Sequence, residues 1–397
     1  MIIQPKIRNN VCLTAHPSGC TIQVKAQIEY VKGRGRLRGP KTALVIGSSN
    51  GYGLAARIVA AFGCGAATVG VLLERPGKTS RPATAGWYNT AAFERFAEAE
   101  KLPAWSINGD AFSDETKTDA VGIVKKHLGS ADLVVYSIAA PRRLDPHTKT
   151  LFSSSIKPIG KPFTAKTVDF HSGTISEITA SPASPGEIDH TVKVMGGEDW
   201  SLWVDALLRA GALSRGAFCV AFSYVGPEIT RPIYRDGTIG MAKEDLEKTA
   251  REINRKLEKI GGHALVSINK ALVTRASAAI PAVPLYISLL YRVMKRKGIH
   301  EGCIEQMYRL FDDFLYSGGQ VKLDQSGRIR LDDWEMREDV QAEVHELWKR
   351  VNTENLTQLS DIEGFREEFL KHHGFGMNGV DYSREVEAEQ GIPSISP

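Results

Sequence analysis

Three glycines and an acid stand at spacings that suit a phosphate-bearing ligand. Gly47, Gly51 and Gly53 punctuate the run Gly47-Ser48-Ser49-Asn50-Gly51-Tyr52-Gly53, and Glu74 follows 21 residues after Gly53. Glycine lets a backbone turn tightly and approach a pyrophosphate, and a helix beginning there aims its amides at the same phosphates. A carboxylate at that distance can accept from ribose hydroxyls. Further along, Tyr234 and Lys243 are a candidate proton donor and cation. A phenol can donate to a developing oxyanion, and an ammonium can hold a ribose while making phenolate character less costly.

The elements around the glycines are those such a site needs. An apolar strand, Ala43-Leu44-Val45-Ile46, precedes the turn, a helical stretch follows, and a second strand from Thr68 to Leu73 ends in the acid. In that order they read as a complete dinucleotide-binding unit. Two other readings stand beside it. Gly47-Ser48-Ser49-Asn50-Gly51 is formally the G-x-S-x-G elbow that displays a nucleophilic serine in hydrolases. That elbow normally follows several earlier strands, whereas only 46 residues precede Gly47, and it does not explain the acid. A glycine turn serving only close helix–strand packing is the third reading.

Tyr234 and Lys243 are nine residues apart. On one continuous helix they would lie about 13 Å apart on different faces. The spacing therefore predicts that Tyr234 precedes a helix beginning near Lys243 and folds back toward it, as Gly237 and Gly240 permit. On spacing alone, a surface tyrosine with a solvated lysine accounts for the pair better.

Along the chain, apolar runs near 43–47, 68–74, 103–109, 132–139, 217–225 and 264–273 alternate with amphipathic segments near 52–63, 88–100, 114–128, 200–211 and 241–259. This is the rhythm of an α/β fold with a doubly wound, Rossmann-like parallel sheet, its core at about 40–280. Between 141 and 199, Pro, Ser, Thr and Lys accumulate, which predicts a substrate-covering insertion at a strand's carboxyl end. Residues 281–397 read as mainly helical. The stretch Leu285 to Tyr291 reads as a buried core helix in preference to one specialised for lining a lipid site. One large domain over 1–397 accommodates all of this.

Composition excludes several classes. Charged residues are 24% and apolar ones 42%, with a formal net charge of +4, so no nucleic-acid role follows. The basic run 32–41 holds five cations among glycines with no aromatic between them, which reads as a solvated loop and, less readily, as a contact for coenzyme A phosphates or an acidic carrier. No stretch reaches the ~18 apolar residues of a membrane span, and the first residues lack a signal-peptide core, so a cytoplasmic location is the expectation. The five cysteines form no C-x-x-C and the ten histidines no H-E-x-x-H, so neither disulfides nor a metal site is expected.

Longer phrases carry a family resemblance. Ala85-Gly86-Trp87-Tyr88-Asn89, Ser106-Ile107-Asn108-Gly109-Asp110-Ala111-Phe112, Val194-Met195-Gly196-Gly197-Glu198-Asp199-Trp200 and His300-Glu301-Gly302-Cys303-Ile304-Glu305-Gln306 join the glycine turn, Glu74 and the Tyr234/Lys243 pair. Together they closely resemble the FabV class of trans-2-enoyl-ACP and enoyl-CoA reductases, from the first residues to Gly374-Phe375-Gly376. The resemblance outweighs the ordinary explanation of Tyr234.

It implies an enlarged short-chain dehydrogenase architecture, usually monomeric, that reduces the 2,3 double bond of an enoyl thioester with NADH in the last step of fatty-acid elongation. The substrate would be a thioester of acyl-carrier protein or coenzyme A. By the same resemblance Gly47, Ser48, Ser49, Asn50, Gly51 and Tyr52 cradle the pyrophosphate, Leu73 and Glu74 bind the adenosine ribose, and Asp110 and Ala111 flank the adenine. Ile138 and Ala139 would line the cofactor ribose, Leu272, Val273 and Thr274 would meet the nicotinamide end, and Tyr224 would contact substrate. Tyr234 and Lys243 would be catalytic, with Lys243 also on the cofactor. Two positions depart from many relatives, which have a second lysine at Glu244 and a glutamine at Arg275. A ketone or other alkene reductase on the same scaffold, or a non-catalytic nucleotide-binding protein, is the alternative.

Overall fold

The computed structural model describes all residues except Asn9, Arg275, Ala276, Ala278, Ala279, Ser396 and Pro397. The departure at Arg275 thus lies outside the described residues. Seven strands form one sheet: Thr42–Ile46 (β1), Ala67–Leu72 (β2), Ala104–Asn108 (β3), Ala131–Tyr136 (β4), Leu213–Ser223 (β5), His263–Ile268 (β6) and Arg328–Arg330 (β7). Their order is β7-β6-β5-β4-β1-β2-β3, and every neighbouring pair is parallel. The order reverses between β1 and β4, the switch point at which doubly wound sheets bind ligands. Six strands lie where the apolar runs placed them. The seventh comes from the part read as mainly helical, and its three residues are too few for periodicity to reveal.

The helices are Pro17–Arg34 (α1), Gly51–Ile58 (α2), Ala85–Ala99 (α3), Asp114–Ile123 (α4), Pro185–Met195 (α5), Glu198–Arg209 (α6), Thr238–Leu257 (α7), Val283–Arg296 (α8), Cys303–Arg309 (α9), Glu338–Arg350 (α10), Leu356–Leu359 (α11) and Ile362–Lys371 (α12). Side chains alternate across each strand, so β1 feeds both layers. Ala43 and Val45 pack with Val24, Ile28, Leu54 and Ile58, while Leu44 and Ile46 pack in a second core with Trp200, Trp203, Leu246 and Ile253. Helix α7 shows the required stripe, burying Ile239, Ala242, Leu246, Ala250, Ile253 and Leu257 at steps of three and four.

The 141–199 insertion contains two hairpins, Arg142–Leu144 with Leu151–Ser153 and Phe163–Asp169 with Thr174–Ala180, followed by α5. Beyond the sheet, α8 is the buried core helix that its sequence suggested. Leu285 to Tyr291 are fully buried against Val340, Val344, Phe365 and Phe369.

A final strap runs back along α3 and β3. Val386 exchanges two backbone hydrogen bonds with Met1, Trp87 Nε1 donates to Gln390 O at 2.6 Å, and Tyr88 Oη donates to Ala388 O at 2.8 Å. Ser394 donates to the buried Glu94 through its amide and its hydroxyl, and its oxygen accepts from the Ser106 amide of β3 at 2.8 Å. All five cysteines are free thiols. Among the described residues no helix is long and apolar enough to cross a membrane.

Candidate active site

The glycine turn joins β1 to α2 and owes its shape to what a side chain would strike. Gly47 has φ +86°, and a Cβ there would lie 2.1 Å from the Ser137 carbonyl oxygen. At Gly53 a Cβ would lie 1.9 Å from the Gly47 carbonyl oxygen, so this glycine brings α2 tight against the strand. Gly51, with φ +52°, meets only a Thr274 methyl at 3.9 Å and leaves its face open. The arrangement leaves backbone amides accessible at a helix N-terminus, which favours an anion.

Glu74 closes the same corner from the end of β2. Its Oε1 accepts from Ser49 Oγ at 2.8 Å and from Asn50 Nδ2 at 3.2 Å, and its backbone is held in both directions by the Asn108 side chain. Asn89 of α3 donates to Ser49 O and to Asn50 Oδ1. Ser49, the serine of the formal elbow, therefore gives its proton to an acid rather than to a histidine base, which removes the support for the hydrolase reading. Leu73 is exposed beside this corner. Asp110 and Ala111 follow β3; the Ala111 carbonyl accepts from Lys117 Nζ and Trp203 Nε1, and Lys117 pairs with buried Asp199 at 2.8 Å.

A cavity of about 190 Å³ opens beyond the carboxyl ends of β4, β5 and β6. It gathers Tyr52, Ile138, Ala139, Tyr224, Tyr234, Lys243, Leu272 and Thr274, all named from sequence. Val273 lies behind them. Its amide donates to Tyr291 Oη at 3.1 Å, and His372 Nε2 lies 2.6 Å from its carbonyl oxygen. Tyr52 reaches further than the turn that carries it, donating to the Lys270 carbonyl at 2.7 Å. The basic run 32–41 is elsewhere, leading into the amino end of β1, where the Lys41 amide donates to Asp132 at the start of β4. It is at the opposite end of the sheet from the cavity.

Tyr234 does precede its helix. Its carbonyl accepts from the amides of Gly237 and Gly240, and a Cβ at Gly240 would lie 1.8 Å from the Arg235 carbonyl oxygen, so the chain can fold back only with glycine there. The insertion braces this loop: Thr238 N donates to Lys157 O at 3.0 Å, and the Thr238 hydroxyl donates to Ser155 O. Both residues of the pair are half-buried in the cavity wall, not the solvated surface pair that spacing alone favours. Burial pushes the Tyr234 phenol above its ordinary value, and the negative charge of Glu335 pushes the same way. Burial pulls the Lys243 ammonium down to about 8, with Glu247 opposing. Glu244 faces outward, 3.7 Å from Arg235, so that departure lies off the cavity.

Sequence reasoning missed Ser223, which ends β5, and Asn269, which directly follows β6, both in the cavity wall. Ser223 Oγ and Asn269 Nδ2 are buried polar atoms without a protein partner, whereas Asn269 Oδ1 accepts from Ser267. Orphaned donors at strand ends suit a polar ligand, and their position at carboxyl ends was the available signal. Together with the open face at Gly51 and the acid at Glu74, they fit a dinucleotide.

The chain is similar along its length to known proteins. Residues 81–316 match the family described as the trans-2-enoyl-CoA reductase catalytic region, and residues 2–79 match its NAD(P)H binding domain. A protein of Coxiella burnetii named enoyl-[acyl-carrier-protein] reductase [NADH] is 57% identical over 100% of this chain and 98% of its own length. A trans-2-enoyl-CoA reductase [NADH] of Ruminiclostridium cellulolyticum is 56% identical over 100% of both. The crystal structure of Treponema denticola trans-2-enoyl-CoA reductase in complex with NAD superposes with a TM-score of 0.95 at 49% identity, covering 100% of both chains.

A third match, over residues 323–386, is described as an enoyl reductase FAD binding domain. The described residues there do not fit a flavin. Val340, Val344, Val351, Leu356, Ile362, Phe365 and Phe369 are at most 3% exposed and packed against α8, and the segment contributes nothing to the cavity wall. With both its catalytic and its nucleotide-binding regions matched, and relatives above half identity along its full length, the chain belongs to the NADH-dependent trans-2-enoyl-CoA and enoyl-acyl-carrier-protein reductase family.

Proposed function

We propose that the chain reduces the 2,3 double bond of trans-2-enoyl thioesters with NADH, using Tyr234 as donor to the thioester oxygen and Lys243 as anchor for the nicotinamide ribose. The observation that carries this reading is one cavity in which Tyr234, Lys243 and Tyr224 face the segment Asn269 to Thr274. When bound, NADH supplies a hydride for the β-carbon of the enoyl group. As the thioester oxygen gains charge, the Tyr234 hydroxyl, protonated at neutral pH like any phenol, donates to it. Lys243 offsets the cost of negative charge on the phenol.

Gly47 to Tyr52 take the pyrophosphate, Leu73 and Glu74 the adenosine ribose, Asp110 and Ala111 the adenine, Ile138 and Ala139 the second ribose, and Leu272 to Thr274 the nicotinamide. Ile280, Val283 and Ile287 provide an apolar wall that keeps water from the reacting carbons. In this reading the substrate is carried on acyl-carrier protein or coenzyme A, the core, insertion and C-terminal part act as one unit, and the enzyme works as a cytoplasmic monomer. The test is NADH oxidation against a chain-length series of trans-2-enoyl-CoA and against the matching ketones. Consumption with the enoyl thioesters is expected; a ketone that outpaces them, or no consumption at all, sinks the reading.

A further inference from the structure

Glu335 is outside the cavity wall, yet two groups that line the cavity, and a third behind them, end on its carboxylate. It follows β7 and is fully buried. Its Oε1 accepts from Tyr224 Oη at 2.9 Å and Tyr286 Oη at 2.7 Å, and its Oε2 accepts from the Ala271 amide at 2.7 Å. Gln341 Nε2 donates to Tyr286 Oη, which leaves that tyrosine's own proton for Glu335. Three donors and no acceptor suit an ionised carboxylate. Burial raises the pKa of Glu335, and the charge of buried Lys270 opposes that rise.

Tyr224 and Ala271 both line the cavity, and the Tyr224 ring meets the Tyr234 ring edge-on with centroids 4.9 Å apart. We propose that Glu335 is a positioning residue for the reduction, holding the Tyr224 ring as the wall that orients Tyr234 and pinning the Ala271 amide so that Asn269 to Thr274 face the nicotinamide. The proposal rests on the enoyl reductase reading above. It also divides the labour between the tyrosines: the Tyr224 hydroxyl donates its hydrogen bond to Glu335, so the hydroxyl free to serve the thioester oxygen is that of Tyr234. The charge of Glu335 further favours the proton-bearing form of Tyr234.

The test compares Glu335→Gln, Tyr224→Phe and the double variant with the parent. Each is assayed for kcat with crotonyl-CoA, for NADH dissociation constant by fluorescence and for unfolding midpoint, with kinetics run well below each midpoint. Glu335→Gln keeps the volume but removes the charge and one acceptor. Its kcat should fall by between about tenfold and 10²-fold, the scale of a misplaced reacting group, and its NADH affinity should weaken as the Ala271 arm loosens. Tyr224→Phe should lower kcat and leave NADH affinity unchanged. Because the Tyr224 arm passes through Glu335, the double variant should lose no more kcat than Glu335→Gln.

Parental kcat in folded Glu335→Gln, or losses that multiply in the double variant, overturns the proposal. If Glu335→Gln does not fold, Tyr224→Phe alone decides: parental kcat overturns the proposal, and reduced kcat with parental NADH affinity supports it. If the parent itself does not consume NADH with enoyl-CoA, the functional reading fails, while NADH affinity still reads the clamp at Ala271.

Discussion

Ser49 donates its hydroxyl proton to Glu74 at 2.8 Å, so the turn that would meet the pyrophosphate and the acid that would meet the adenosine ribose are one hydrogen-bonded unit. The coupling bears on cofactor choice. A carboxylate accepts from the 2′-hydroxyl of NADH but opposes the 2′-phosphate of NADPH with like charge and no donor. Arg75, exposed beside it, can turn toward a phosphate and soften that preference. We expect a strong but incomplete preference for NADH, and Glu74→Ala should narrow the ratio of kcat/KM for the two cofactors. NADH affinity should weaken too, because Ser49 and Asn50 lose their acceptor. Equal use of both cofactors by the parent, or an unchanged ratio in the variant, places Glu74 away from the ribose.

Tyr234→Phe keeps the ring that packs on Tyr224 and removes the donor. Loss of one oxyanion donor costs about 10²- to 10³-fold in kcat, and that is the expected fall in NADH oxidation with crotonyl-CoA. NADH binding, followed by fluorescence, should be close to parental. A variant that turns over normally assigns the donor role elsewhere.

Lys243 acts in its charged form, and its pKa is drawn down from 10.5 to about 8 in the folded chain. The charge is therefore present below pH 8 and lost as pH rises through that value. The kcat/KM of the parent should decline above about pH 8. Lys243→Arg, whose guanidinium stays charged beyond pH 12, should have reduced activity but lack that alkaline decline. Lys243→Ala should weaken NADH binding and slow turnover together. A decline that persists unchanged in the arginine variant belongs to another group.

Behind Ala111, Lys117 and Asp199 form a buried pair at 2.8 Å, with Tyr136 Oη also donating to Asp199. Removing one partner strands the other charge in a dry interior, which costs about 3 to 5 kcal/mol. Lys117→Met should lose stability on that scale in urea denaturation. Asp199→Asn should lose less, because Lys117 still donates to the Ala111 and Phe112 carbonyls and the amide oxygen can still accept. If the methionine variant unfolds at the parental midpoint, the pair contributes nothing net.

Six strands of the sheet were legible because they are apolar runs of strand length alternating with amphipathic segments, and the glycine turn because its spacing is dictated by backbone contacts. The phrases that carried the family resemblance have physical reasons that sequence alone does not display. Asn89 supports the turn, Asn108 holds Glu74, Asp199 answers Lys117, and Gln306 accepts from the Lys270 amide. What escaped was long-range. The C-terminal part read as helices with a generic core, yet Glu335 and His372 hold the backbone of Ala271 and Val273, while Glu368 accepts from Tyr291, the residue that receives the Val273 amide. No local pattern links residues so far apart in the chain. Ser223 and Asn269 escaped for a different reason: ordinary polar residues at strand ends become informative only when their neighbours leave them unpaired.

The strap that returns along α3 ends with Ser394 occupying the Ser106 amide of β3, the strand at one margin of the sheet. The other margin is β7, three residues long and reading Arg-Ile-Arg. An open strand edge is a template for a neighbouring chain, and proteins blunt it by covering it, shortening it or charging it. Here one edge is covered and the other is both short and charged. Shortening the chain before Ser394 would therefore expose a pairing surface, and the penalty would register first as self-association in the crowded cell rather than as lost chemistry.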